Sequence, residues 1–253
     1  MFKAIKLLSM RVNVVSLSAM MYWIENQCKN THGSYVCVSN VHMCMECYDC
    51  DDFNQVVNNA NVIVPDGLPL VWAQKLLGEK QALQVRGMDL VIKTCELAAD
   101  NGIKVGFYGG TTETLKLLNN ELSSSFKTLD ICCLIAPPFH ALSAEEDSAY
   151  IKQINESGAQ IMFVGIGCPK QEYWMSEHKE ALSCVMLGVG AAFDFIAGQK
   201  KHAPKWMQRA GFEWLFRLVS EPCRLWRRYL KHNPRFIYYY TCQLLGRNFD
   251  KNN

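Results

Sequence analysis

A carboxylate placed where an apolar strand runs out can serve as a general base if an incoming hydroxyl can reach it. Asp66 has that placement, because it follows Val62-Ile63-Val64 within Pro65-Asp66-Gly67. Asp-Gly is also a common turn pair, so spacing alone leaves base and turn both open. Two glycine-bearing segments suggest a second kind of chemistry. Gly109-Gly110-Thr111-Thr112 and Gly165-Ile166-Gly167-Cys168-Pro169-Lys170-Gln171-Glu172 each follow a short apolar run. Free N–H groups at a helix start attract phosphate, and glycine lets the backbone come close. Lys170 could add charge, and Gln171 could bond a hydroxyl or a base edge. Neither segment spells a dinucleotide fingerprint or a Walker loop. A structural turn remains the alternative for the first, and a plain strand-to-helix connection for the second.

His42, Cys44, Cys47 and Cys50 have ligand-like spacing, but no further Cys/His pair closes a four-ligand site, so no metal is assigned. The histidines form no Ser/His/Asp or Cys/His arrangement readable from spacing. The twelve cysteines are scattered, several within apolar runs such as Ile131-Cys132-Cys133-Leu134. That is unlike a disulfide framework and points to a reducing cytoplasm. Lys3, Lys6 and Arg11 interrupt the first apolar stretch, which argues against a signal peptide, and no run of 18 apolar residues would span a bilayer.

The elements that must position these residues alternate. Short apolar strands are expected within 12–28 (ahead of a helix) and at 33–41, 62–64, 104–108, 131–136, 161–164 and 185–187. Helices are expected at 51–60, 69–77, 88–101, 112–122, 143–157 and after 172. This pattern predicts an α/β fold with a Rossmann-like, largely parallel sheet and helices on both faces. Ligands of such sheets bind beyond the carboxyl ends of the strands. The loops around Asn40, Asp66, Gly109, Pro137, Gln171 and Gly190 are therefore the expected site wall.

Charge divides the chain unevenly. Residues 200–253 hold 12 Lys+Arg against 3 Asp+Glu, whereas the rest holds 14 against 21. A basic end on an acidic body implies an anionic partner. Three helices are expected there, at 204–219, 222–232 and 234–245. In the second, Arg224, Arg227, Arg228 and Lys231 fall on one arc and Leu225, Trp226, Tyr229 and Leu230 on the other. That describes a basic amphipathic helix able to lie on an anionic membrane, with a packed helix bearing a solvated basic face as the alternative. No motif supports nucleic-acid binding. The expected division is an α/β domain at 1–203 and a helical, membrane-docking appendage at 204–253.

Taken jointly, the motifs resemble the WecG/TagA/CpsF family of bacterial glycosyltransferases over roughly 12–235. The resemblance rests on Val64-Pro65-Asp66-Gly67 with Trp72, Gly87-Met88-Asp89, Gly109-Gly110 and the 165–172 loop. It continues through Gly188-Val189-Gly190, Phe193-Asp194, Gly198, Ala203-Pro204-Lys205-Trp206, the run 211–217 and Glu221-Pro222. The resemblance implies an inverting transferase that takes UDP-sugars and extends an undecaprenyl-diphosphate-linked saccharide in surface or exopolysaccharide synthesis. It implies no cofactor and no required metal, and a peripheral position on the inner face of the cell membrane. Asp66 matches the family base, Asn40 the family asparagine and Gln171 the glutamine of its Pro-Lys-Gln-Glu loop, the three catalytic candidates. Expected substrate contacts are Ser39, Arg86, Asp89, Gly109, Gly110, Pro138, Gly165, Gly167, Lys170, Gly190 and Asp194. Arg217, Arg224 and Arg227 are the expected appendage arginines near the donor diphosphate. Val38 stands where the family often has Thr and Gln84 where it usually has Arg, with Arg86 as the candidate substitute. Homo-oligomerisation is left open. A nucleotide-binding oxidoreductase and a non-catalytic membrane binder are the competing readings.

Overall fold

The computed structural model describes residues 2–29 and 33–246; the last seven residues of the expected appendage lie outside that range. Its first elements are an antiparallel hairpin of β1 (Ala4–Leu7) and β2 (Met10–Asn13), followed by α1 (Leu17–Gln27), which Ser16 caps by accepting from the Ala19 N–H. The first hairpin strand was not expected, because its lysines disguise the alternation. The body continues as β3 (Ser34–Ser39), α2 (Val41–Asp49), α3 (Asp51–Asn58), β4 (Val62–Pro65), α4 (Leu68–Leu76) and α5 (Gly87–Asn101). Then come β5 (Val105–Gly109), α6 (Thr112–Ser125), β6 (Ile131–Ile135), α7 (Ala144–Ser157), β7 (Ile161–Gly165), α8 (Lys170–His178), β8 (Val185–Gly188) and α9 (Ala192–Ile196).

Six strands pair in parallel in the order β4-β3-β8-β7-β5-β6. Successive side chains of a strand face opposite sides, so each strand feeds two cores. Tyr35 and Cys37 join Met43, Phe53, Trp174 and Met186 on one face. Val36 and Val38 join Leu90, Phe107, Phe163 and Phe193 on the other, where Phe107 and Phe163 stack at 4.8 Å. Each such fully buried apolar side chain contributes about 1.5–3 kcal/mol, and the strand ends are thereby fixed.

The chain past 203 departs from the expected three helices. Residues 204–219 form α10 (Lys205–Ala210) and α11 (Glu213–Ser220) instead of one helix. Gly211 separates them at φ +80°, the left-handed conformation that ends helices and that glycine adopts without strain. Its bare Cα also lies against the Trp72 ring, which would stand 2.5 Å from any Cβ there. Conversely, 222–245 is one continuous α12 (Pro222–Leu244) despite Pro234. A mid-helix proline sacrifices a hydrogen bond and costs about 3 kcal/mol. Pro234 is on the exposed side, while Leu225, His232, Phe236 and Tyr240 pack inward and hold both halves in line. Tyr240 donates to the Ala73 carbonyl at 2.6 Å, and Gln243 bonds the backbone of Lys6 and Leu8 at 2.8 Å each. Among the described residues, no helix is long and apolar enough to cross a membrane.

Candidate active site

A cavity of about 1030 Å³ opens over the carboxyl ends of the parallel strands. This volume is at the upper end for a small-molecule pocket and leaves room for two substrates. One wall comes from β3 and β4. Asp66 follows β4, and its N–H and that of Gly67 both donate to the Ser39 carbonyl, at 2.8 and 3.3 Å. The carboxylate Oδ1 accepts from the Gly87 N–H at 2.9 Å, at the start of α5. Gln84 holds the Asp66 carbonyl through its side-chain amide. The backbone of Asp66 is therefore fixed on both sides, and its carboxylate, held by the Gly87 N–H, lines the cavity. Burial pushes its pKa up to about 6, against the Gly87 hydrogen bond that lowers it; Glu213 raises it further, and Arg217 and Arg86 oppose.

Asn40 caps α2, its Oδ1 accepting from the Met43 N–H at 3.2 Å and from Arg228 Nη2 at 3.4 Å. The facing wall carries the glycine-bearing loops. Gly110 precedes α6, Gly165 and Gly167 precede α8, and Gly190 precedes α9, so helix N-termini converge on one space. Gln171 sits on the floor with its amide already directed. It accepts from the Gly167 N–H at 3.2 Å and donates to Glu172 at 2.7 Å. Burial pushes the Glu172 carboxyl up to about 7, against the hydrogen bonds from the Gln171 amide and Cys168, which lower it.

The α11–α12 segment forms the third wall with Glu213, Arg217, Arg224 and Arg228. Lys200 ties it to the body, bridging Asp194 at 2.6 Å and Glu221 at 3.0 Å, while Glu221 also holds Arg224. Arg217 lies over the Phe195 ring at 5.5 Å. Arg228 differs from the others. Its side chain is half-buried, its buried Nε has no hydrogen-bond partner, and no carboxylate of the described residues pairs with it. A buried guanidinium without an acid is costly unless an anion completes it.

Most expected site residues meet here: Asn40, Asp66, Arg86, Gly110, Pro138, Gly165, Gly167, Lys170, Gln171, Gly190, Asp194, Arg217 and Arg224 all line the cavity. Four do not. Ser39 is fully buried and donates to the Val64 carbonyl at 2.8 Å, so it latches two strands together. Gly109 is a packing glycine, where a Cβ would stand 2.5 Å from the Gly165 carbonyl carbon. Asp89 lies in the first turn of α5, where its charge favours the helix N-terminus. Arg227 points outward, its guanidinium 5.3 Å from the Trp226 ring centre, and Arg228 occupies the inward position instead. Glu213, Lys200 and Arg228 were not selected from sequence. Arg228 was visible within the basic arc, but a helical wheel does not say which arginine faces the body. Of the two departures from the family pattern, Val38 lines the cavity, and Arg86 donates to Gln84 at 3.2 Å and also to Gln208 of α10.

The cysteine spacing dissolves in three dimensions. Cys44 and Cys47 point into the core, Cys50 is exposed, and His42 faces Glu46 and His232 instead.

Comparison with known proteins places the chain among relatives. The profile of the Glycosyl transferase WecG/TagA/CpsF family matches residues 5–250. The chain is similar to the N-acetylglucosaminyldiphosphoundecaprenol N-acetyl-beta-D-mannosaminyltransferase of Staphylococcus aureus strain MW2, at 28% identity over 83% of this chain and 80% of the relative. It is also similar to the Bacillus subtilis strain 168 protein of the same name, at 27% identity over 71% of this chain and 68% of the relative.

Proposed function

The chain belongs to the WecG/TagA/CpsF family of glycosyltransferases, and from that premise we propose that it moves an N-acetylmannosaminyl group from a UDP donor to N-acetylglucosaminyl-diphosphoundecaprenol with inversion. The observation that carries this reading is a pairing across one cavity. A fixed carboxylate of raised basicity, Asp66, faces a wall where helix N-termini and Arg228, which has no carboxylate partner among the described residues, await an anion. The relatives' names specify a β-linked product, and attack on an α-linked UDP-sugar gives it in one displacement. Asp66 takes the proton of the acceptor hydroxyl as its oxygen bonds the anomeric carbon. On the opposite face the carbon–oxygen bond to UDP breaks, and its electron pair leaves on the diphosphate. The N–H groups opening α6 and α8, with Arg228 and Arg217, hold that charge in a site of low dielectric.

Residues 204–253 act in this reading as an appendage that both completes the donor wall and seats the enzyme on the inner face of the cell membrane. Support comes from what these helices leave uncovered. α10 and α11 bury no residue fully, and Trp206, Val219, Trp226, Leu230 and Ile237 are exposed beside Lys205, Arg227 and Lys231. On α12 the exposed Trp226 and Leu230 and the exposed Arg227 and Lys231 leave both an apolar and a basic group outward, while Leu225 is buried. Replacing Trp226 and Leu230 with Ser is expected to weaken binding to anionic liposomes by about tenfold or more, since each large apolar side chain contributes about 1.5–3 kcal/mol on burial. Unchanged sedimentation with liposomes would remove the membrane assignment.

The transfer itself is tested by incubating the full chain with UDP-N-acetylmannosamine and a synthetic lipid-diphosphate N-acetylglucosamine. A β-linked disaccharide and one UDP per transfer are expected. Failure with that donor but turnover with another UDP-sugar would revise the sugar alone. No transfer from any UDP-sugar would overturn the reading.

A further inference from the structure

His42 and Glu46 stand one turn apart on α2, and His232 reaches both from α12. His42 Nδ1 lies 3.7 Å from Glu46 Oε1, and His232 Nε2 lies 3.4 Å from the same oxygen. All three candidate ligand atoms fall within 4.8 Å of one another. The imidazole rings meet at 4.9 Å, edge to face. Neither nitrogen makes a good hydrogen bond to the carboxylate at these separations. His42 Nδ1 is buried with no partner at all, and His232 is 3% exposed with its Nδ1 also unpaired. Buried polar atoms are rarely left so, and the unpartnered His42 Nδ1 is the nitrogen that faces Glu46, with His232 Nε2 turned toward the same carboxylate.

In a tetrahedral zinc site with bonds of about 2.0–2.1 Å, neighbouring ligand atoms stand about 3.3 Å apart. Two edges of this triangle are already close to that length, and the third closes with a shift of about 1.5 Å or less. We propose that His42, Glu46 and His232 bind one divalent transition-metal ion, of the zinc class, which ties α12 to α2. Two imidazoles with one carboxylate select such borderline ions over magnesium or calcium, which prefer oxygen throughout. Water takes the fourth position, and the partly exposed Glu46 side gives entry. Arg228 and Lys231 flank the site, and Glu46 and Asp49 offset their charge.

The location gives the ion a purpose separate from the transfer step. Asn40 lies two residues before His42, and Arg228 one turn before His232, and these two side chains meet at the cavity. An ion bound one turn away would hold the appendage at the place where it completes the donor wall. Unlike a pair of packed helices, this joint would respond to metal supply.

Cobalt is the probe, since its visible bands distinguish nitrogen and oxygen ligands from thiolates. The chelator-stripped full chain should bind one Co²⁺ with nitrogen/oxygen bands and no thiolate charge-transfer band. Zn²⁺ should displace it and raise the melting temperature by a few degrees. Glu46→Gln keeps the side-chain shape and should weaken Co²⁺ binding about 100-fold; His232→Asn provides the second variant if the first alters the far-ultraviolet circular dichroism. No binding at millimolar Co²⁺ would overturn the proposal. So would a thiolate spectrum, or binding unchanged in both variants, because the exposed Cys50 or Cys223 would then be the ligands.

Discussion

Asp66→Asn is expected to slow transfer by about 10²–10⁴-fold while leaving the fold and UDP affinity near wild type. The amide oxygen of Asn can still accept the Gly87 N–H that Asp66 Oδ1 accepts at 2.9 Å, so the backbone geometry at the mouth of β4 survives. What disappears is the ability to take a proton. Burial pushes the Asp66 carboxyl up to about 6, so at neutral pH it is mostly ionised yet a stronger base than an ordinary aspartate. Glu213, supplied by α11, raises that basicity, whereas Arg217 and Arg86 restrain it. Single-turnover transfer measured beside UDP calorimetry separates the two roles of the pocket. Wild-type rates in a folded Asp66→Asn protein would end the base assignment.

Arg228→Ala is expected to lower kcat/KM by about 10²–10³-fold, the usual cost of removing one donor aimed at developing charge. The substitution should not undock α12, because Leu225, Phe236, Tyr240 and the Gln243 hydrogen bonds remain. Arg228→Lys should recover only part of the loss, since an ammonium lacks the planar fork that grips a phosphate bidentately. The contrast is Arg227→Ala, whose side chain lies outside on Trp226 and whose loss should leave kcat/KM near wild type. Equal losses at both positions would mean that α12 presents a different face to the donor.

These two residues also mark how far the sequence could be read. Asp66, the glycine loops and the alternating strands are local features, and each announces itself within a few residues. The parallel sheet, its covered faces and most of the cavity wall follow from them. Orientation is another matter. Ser39 and Asn40 are neighbours, yet the pleat sends one into the sheet and the other to the cavity, where Asn40 caps a helix. Arg227 and Arg228 are neighbours too, and only the packing of Leu225 and His232 decides which turns inward. Pro234 reads as a break, but long-range contacts from Phe236 and Tyr240 override its local cost. Gly211 reads as an ordinary interior glycine until Trp72, far away in the chain, is found against it. His42 and His232 share no spacing at all, so their meeting is a product of the fold.

The pH dependence of transfer tests the central claim most directly, because it reads the protonation of one group in the working enzyme. The carboxyl is raised, so its base form is present above about pH 6 and lost below it. In wild-type protein, kcat/KM should therefore fall tenfold per pH unit on the acid side, with a midpoint near 6. The residual rate of Asp66→Asn should show no such limb. An acid limb of the same midpoint in both proteins would contradict the account and assign the proton to another group.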